Sequence, residues 1–449
     1  MAKFNSKNLF IAQNGGKLYI ETYGCQMNFG DSEVVVAILK NNGWEITTKP
    51  QNADLILINT CAIRDNAEVR IWGRIKELKF YKKKNRALLI GVIGCMAERL
   101  KEKLVEKEKA VDIVVGPDAY RDIHKLVAQA AQGSLAINTL LSREETYAEI
   151  TPVRLDKNGV SAFVSIMRGC NNFCSYCVVP YTRGIERSRP HNTIIDEVKE
   201  LLTNGYKEVT LLGQNVNSYK DDQVTFPVLM KMVAELSPNL RVRFSTSHPK
   251  DISDELINVV AVTPNICKAI HLPAQSGSTR MLELMNRKYT REWYLDRIAV
   301  IKKMMPDCSI TTDLISGFCS ETLQDHDDTL SLMTEVGYDF AYMYKYSMRP
   351  DTKAHKEMTD DVEETEKTRR LNEVIARQST LSLASNKKDV GKLFEVLVEG
   401  ESKRSKDRMY GRSSQNKVVV FDRLDTQVGD YVMVNITSCT GATLLGELV

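Results

Sequence analysis

The stretch Ala162-Phe-Val-Ser-Ile-Met-Arg-Gly-Cys-Asn-Asn-Phe-Cys-Ser-Tyr-Cys177 runs from an apolar strand directly into three cysteines. Cys170, Cys174 and Cys177 form a C-x3-C-x2-C motif. Three thiolates so closely spaced can wrap three irons of a cubane cluster and leave the fourth iron open to a small molecule. Zinc is the rival, but structural zinc prefers four closed ligands, usually as two pairs. The bland alternative is three packed core thiols in a loop. Chemistry at the carboxyl end of a strand is what a parallel α/β barrel provides, and the pattern downstream agrees. Further strands are predicted at Glu208–Leu212, Arg241–Ser245, Lys268–Leu272, Ser309–Ile315 and Phe340–Tyr346. Helices at Thr193–Asn204, Pro227–Leu236 and Arg291–Met305 lie between them. Six such units suit a partial (β/α)6 barrel.

Upstream, the first 130 residues alternate strand and helix. Strands are predicted at Lys17–Gly24, Ala53–Thr60, Ala87–Gly94 and Val111–Gly116. Helices are predicted at Asp31–Asn41, from about Ala67 to Lys84, at Glu98–Lys109 and at Tyr120–Ala131. This order calls for a Rossmann-like parallel sheet covered by helices. A polar stretch from Gln132 to Gly159 marks the first boundary. A charged helix spans about Asp360–Asn386, and from Lys392 onward the pattern is all β. Strands at Leu393–Val398, Lys417–Phe421, Tyr431–Ile436 and Ala442–Leu448 indicate a small barrel or sandwich. The fold class is therefore α/β with a small all-β end, in three domains at 1–148, 149–382 and 383–449.

A second cysteine set, Cys25, Cys61 and Cys95, is widely spaced in sequence, but each follows the end of one of the first three strands. In a parallel sheet these ends emerge on one edge, where α/β proteins keep their ligand crevice. Three thiols converging there could hold a second metal centre, and Gly24 and Gly94 permit tight turns beside two of them. The alternative is three unrelated strand-end thiols. Cys267, Cys308 and Cys439 sit in or beside apolar strands and read as core.

Lys plus Arg number 61 against 58 Asp plus Glu, a net charge of +3, which excludes a basic tail protein or an acidic disordered chain. That average leaves room for a local basic face. Met1–Gly16 has no apolar core of the kind a secretory signal needs, and no run approaches the length of a membrane span. Ten cysteines without an export signal favour metal or redox chemistry over a disulfide framework. A cytoplasmic location is expected.

The two cysteine sets in this order resemble the radical S-adenosylmethionine (SAM) methylthiotransferases, from about Lys17 to the C-terminus. Gly24-Cys-Gln-Met-Asn28, Asn59-Thr-Cys-Ala-Ile-Arg64 and the Cys95 loop resemble the family's N-terminal cluster domain, the middle its radical SAM barrel, and the end its RNA-binding TRAM domain. Cys177-Val-Val-Pro-Tyr-Thr-Arg-Gly184, Leu211-Leu-Gly-Gln-Asn-Val-Asn217, Phe244-Ser-Thr-Ser-His-Pro249 and His271-Leu-Pro-Ala-Gln-Ser-Gly277 are most like the branch acting on N6-isopentenyladenosine of tRNA. Branches acting on threonylcarbamoyl-adenosine or a ribosomal protein share both cysteine sets. A non-catalytic iron–sulfur RNA-binding or redox-sensing protein is the competitor from another class.

The resemblance implies two [4Fe-4S] clusters and SAM. Cys170, Cys174 and Cys177 would hold the cluster that binds and cleaves SAM. Cys25, Cys61 and Cys95 would hold the cluster that carries the sulfur. Radical chemistry of this kind is supplied by the cofactor, because the adenine C–H is not acidic at any useful pH. Tyr176 is a candidate to lie near the SAM adenine, and Gly213, Gln214, Gln275 and Asp313 are further candidates for SAM contacts. His248 and His271 read as structural. The implied partners are a tRNA anticodon stem-loop, a reductant such as flavodoxin and a sulfur donor, with no membrane.

One departure lies at Gly317-Phe-Cys-Ser-Glu-Thr322, where the family usually has Gly-Phe-Pro-Gly-Glu-Thr; Cys319 there reads as a packed thiol. Two basic groups are candidates for phosphate contacts, Lys403, Arg404, Lys406 and Arg408 in the β-rich end and Arg183, Arg187 and Arg189 after the cluster motif. A solvated face is the alternative for either group.

Overall fold

The computed structural model describes residues 15–62, 65–145, 147–155 and 158–449. Most of the Met1–Gly16 segment, and Ile63 and Arg64 of the Asn59–Arg64 motif, lie outside the described residues. The chain forms two compact units. The first comprises residues up to Leu155 with Met167–Asn171 and Cys177–Thr193; the second comprises Asp156–Ile166, Asn172–Tyr176 and Ile194–Val449.

In the first unit six parallel strands are β1 (Lys17–Thr22), β2 (Glu45–Ile46), β3 (Leu55–Thr60), β4 (Leu89–Gly94), β5 (Ile113–Val115) and β6 (Ala136–Asn138). Their order in the sheet is β2-β1-β3-β4-β5-β6. Both central strands, β3 and β4, are buried along their whole length, as a parallel sheet covered on both faces requires. Alternation along β3 sends Leu55 and Leu57 into one core with Val35, Leu39 and Tyr120. Ile56 and Ile58 enter the other with Ile71, Leu78 and Ile90. This is the two-residue period of a strand serving two layers.

Three details differ from the sequence reading. The first helix is Gln26–Lys40 rather than Asp31–Asn41, because the chain turns into helix immediately after Cys25. The helix expected at Glu98–Lys109 is two short ones, Cys95–Leu100 and Glu102–Lys107, broken at Lys101 with φ +50°. β2 and β6 were not anticipated; they have two and three residues, too few for a period to show.

In the second unit six parallel strands follow one another in chain order. Ser161–Ser165, Glu208–Leu212 and Arg241–Ser245 form one set, and Ala269–His271, Ser309–Ser316 and Phe340–Lys345 the other. An isolated parallel bridge joins Val242 of the first set to Ile266, three residues before the second begins. These are the six predicted strands to within three residues at each end. After the helix Glu364–Lys387 the C-terminal strands close into a small five-stranded barrel. One of its strands, Arg408–Ser413, was not anticipated. Its apolar signal is thin, since the inward positions are Met409, Gly411 and Ser413. No helix among the described residues is long and apolar enough to cross a membrane.

Candidate functional site

In the first unit β1, β3 and β4 are neighbours in the parallel sheet, so the turns bearing Cys25, Cys61 and Cys95 follow adjacent strand ends. Cys25 caps the helix Gln26–Lys40, Cys61 directly follows β3, and Cys95 opens the helix Cys95–Leu100. A buried amide pair joins the turns. Asn28 Nδ2 donates to Asn59 Oδ1 at 3.1 Å and to the Thr60 carbonyl at 3.1 Å. Asn59 Nδ2 returns a bond to the Asn28 carbonyl at 2.7 Å. Cys25 Sγ donates to Asn28 Oδ1 at 3.2 Å. The two glycines are conformational requirements here. Gly24 has φ +131°, and a Cβ on it would stand 2.6 Å from Cys61 Cβ. Gly94 has φ +92°, and its Cβ would stand 2.4 Å from Asn59 Oδ1. The sequence reading quoted Asn28 and Asn59 only as parts of motifs; their role is to set the spacing of the cysteine turns.

Behind these turns lies a buried ionic cluster. Asp31 accepts from Arg168 Nη1 at 2.6 Å and from Arg183 Nη2 at 2.7 Å. Burial pushes the Asp31 carboxyl up, but the two guanidiniums outweigh it and hold its pKa below the usual range. Arg183 Nη1 has no hydrogen-bond partner in the protein, and the Arg183 charge acts on both Cys95 and Cys25. Burial raises the Cys95 thiol while Arg183 opposes the rise. A buried arginine with an unpartnered N–H, its charge acting on two of these thiols, is a place where an anionic, sulfur-rich group fits.

The expectation that Arg183, Arg187 and Arg189 contact phosphates is corrected by their burial. All three are under 9% exposed. Arg187 forks onto Asp118 at 2.9 and 3.0 Å, and Arg189 Nε donates to Thr193 Oγ1 at 2.9 Å. A local basic run in sequence does not reveal that its charges turn inward. Lys403, Arg404, Lys406 and Arg408 are exposed, with Arg408 bonded to Asp422 at 3.0 Å.

In the second unit the carboxyl ends of two strands carry several buried polar atoms without partners: Gln214 Oε1, both amide atoms of Asn217, Ser247 Oγ and His248 Nε2. Such atoms mark a place for a polar ligand. His248 Nδ1 accepts from the Lys250 backbone N–H at 3.3 Å, which leaves the proton on Nε2. Burial, aided by the charges of Arg287, Lys250 and Lys288, keeps this ring neutral. The structural reading of His248 is thus incomplete, since its Nε2 has no structural partner. His271 is held as expected, with Nδ1 3.0 Å from Thr311 Oγ1.

Among the SAM-contact candidates, Gln275 and Asp313 come together: the Gln275 N–H donates to the Asp313 carbonyl at 2.8 Å, and Gln275 has φ +71°. Gly213 is buried at a strand end, its N–H donating to the Ser245 carbonyl at 3.1 Å. Tyr176 is half-buried and meets Phe318 edge to face at 6.4 Å. Cys170 and Cys177 belong to the first unit and Cys174 to the second. Cys174 Sγ accepts from Arg287 Nη1 at 3.4 Å. Cys319 packs with Met281, Met285, Phe318 and Tyr346 as an apolar thiol, as expected. Among the described residues no three His, Cys, Asp or Glu side chains are grouped to share one metal ion; a cluster instead gives each thiolate its own iron.

Three family models match the chain: Uncharacterized protein family UPF0004 over residues 17–116, the Radical SAM superfamily over 164–333 and the TRAM domain over 387–449. Among solved structures, the radical SAM methyltransferase TsrM from Kitasatospora setae is similar in fold, with a TM-score of 0.55 at 12% identity over 73% of this chain and 72% of that one. The cobalamin-dependent radical SAM enzyme OxsB gives a TM-score of 0.52 at 12% identity over 81% of this chain and 56% of that one. The class so defined is that of radical SAM enzymes. The tRNA-2-methylthio-N(6)-dimethylallyladenosine synthase of Bacteroides thetaiotaomicron is 56% identical over 98% of this chain and 97% of its own. That of Phocaeicola vulgatus is 57% identical over 96% of each chain. The chain belongs to the tRNA-2-methylthio-N(6)-dimethylallyladenosine synthase family.

Proposed function

We infer that this chain transfers a methylthio group to C2 of N6-isopentenyladenosine in tRNA, at the adenosine 3′ of the anticodon, consuming two SAM. The observation that carries this reading is identity above one half, end to end, with relatives bearing that name. The proposed domains are 1–148, 149–382 and 383–449. Cys170, Cys174 and Cys177 hold one [4Fe-4S] cluster, and Cys25, Cys61 and Cys95 hold the other. When bound, the first cluster would supply the electron for reductive cleavage of SAM, and the second would supply an iron for the sulfur.

The protein's own residues bind and orient. Asn28 and Asn59 keep the turns of Cys25 and Cys61 in register, and the Arg183 charge acts on Cys25 and Cys95. Gln214, Asn217, Ser247 and His248 present polar atoms that a SAM or adenosine group would satisfy. Tyr176, Gly213, Gln275 and Asp313 complete the proposed SAM contacts. The exposed run Lys403, Arg404, Lys406 and Arg408 contacts tRNA phosphates. A flavodoxin-like reductant, a separate sulfur donor and a cytoplasmic location complete the proposal.

Mass spectrometry of nucleosides from a deletion strain tests it. Isopentenyladenosine accumulates without its methylthio form, and the plasmid-borne gene restores the pair. An unchanged pair, with loss of a methylthio group from another nucleoside or a ribosomal protein, overturns the assignment.

A further inference from the structure

Arg287 is only 4% exposed. Its Nε donates to Tyr289 Oη at 3.0 Å and its Nη2 to the Pro273 carbonyl at 2.7 Å. Its Nη1 donates to Cys174 Sγ at 3.4 Å and to Tyr176 Oη at 3.5 Å. None of these acceptors is a carboxylate. Carboxylates serve as partners for several other buried arginines: Asp31 for Arg168 and Arg183, Asp118 for Arg187, Glu208 for Arg243 and Glu321 for Arg370. A buried cation without a counter-charge costs several kcal/mol, and proteins rarely leave one unpaired.

The group able to balance Arg287 is the one its Nη1 reaches. Once Cys174 is a thiolate on iron, the hydrogen bond becomes charge-assisted. A cubane carried by thiolates is net negative in both of its redox states, and more so after taking an electron. We propose that Arg287 is a positioning residue for the SAM-binding cluster, acting as its buried counter-charge and as hydrogen-bond donor to the Cys174 thiolate, and thereby favouring the reduced state. Hydrogen bonds to cluster sulfurs and local charge are the levers by which a protein sets such a potential.

The inference rests on the cluster assignment proposed above, and the test separates the two. Full-length protein carrying Cys25→Ala, Cys61→Ala and Cys95→Ala is loaded anaerobically with iron and sulfide. It is then titrated with dithionite, as one-electron source through mediators, while the reduced cluster is followed by electron paramagnetic resonance. Arg287→Lys keeps a cation yet cannot bond Cys174, Tyr289 and Pro273 together. The expected result is an unchanged iron count with the midpoint potential displaced to more negative values in Arg287→Lys, and further in Arg287→Gln wherever that variant also takes up iron. A midpoint in Arg287→Lys equal to that of the parent, or loss of iron from it, overturns the inference. A parent that takes up no iron defeats the cluster assignment and the inference with it.

Discussion

Glu98 shows how burial alone can give one side chain a pH signature. It is 1% exposed, its Oε2 has no hydrogen-bond partner, and Lys101 Nζ stands 3.6 Å from Oε1. Burial outweighs that lysine, and the carboxyl is pushed up to about 7. Between the ordinary glutamate value near 4.5 and about 7 the folded state therefore binds more protons than the unfolded one, so this group makes stability fall as pH rises through that window. Glu98→Gln is expected to remove the slope and to stabilise the protein at pH 8 by on the order of 2 kcal/mol. Urea unfolding of both proteins at pH 5 and pH 8 checks this; parallel pH dependence would refute it. At this scale the sequence is least informative. Glu98 sits in a charged local run, Glu98-Arg-Leu-Lys101, and nothing there tells a buried carboxyl from a solvated one.

Junctions between elements carry the site in the first unit. β4 ends at Gly94 and helix begins at Cys95 with no intervening loop. Gly94→Ala would force a side chain into φ +92° and against Asn59 Oδ1. It is expected to cost about 1–3 kcal/mol and to lower the iron held by Cys25, Cys61 and Cys95. Iron analysis with thermal unfolding checks both, and full iron retention would show that the junction can shift without harm. Elements were largely legible in the sequence: the six parallel strands of the second unit and β1, β3 and β4 announce themselves by apolar runs. The start of the helix Gln26–Lys40 did not, because its cap is Cys25, with its N–H and thiol on Asn28, rather than a serine or aspartate.

Across the whole chain, two cysteine trios lie on separate stretches of sequence, and their independence can be counted. The Cys25→Ala, Cys61→Ala, Cys95→Ala variant is expected to lose about half of the iron and sulfide per chain while still producing 5′-deoxyadenosine from SAM under reducing conditions. Loss of all the iron, or of none, would contradict two separately held clusters. The sequence by itself determined the layered α/β order, a β-rich end that read as a small barrel or sandwich, and the six cysteines at strand ends, since hydrophobic period and cysteine spacing are local properties of a chain. The tertiary structure alone decided where the arginines point. Arg183 meets Asp31 across 152 residues and Arg287 meets Cys174 across 113. A charge declares itself buried only when the chain that covers it, and the partner that balances it, have been brought from far away.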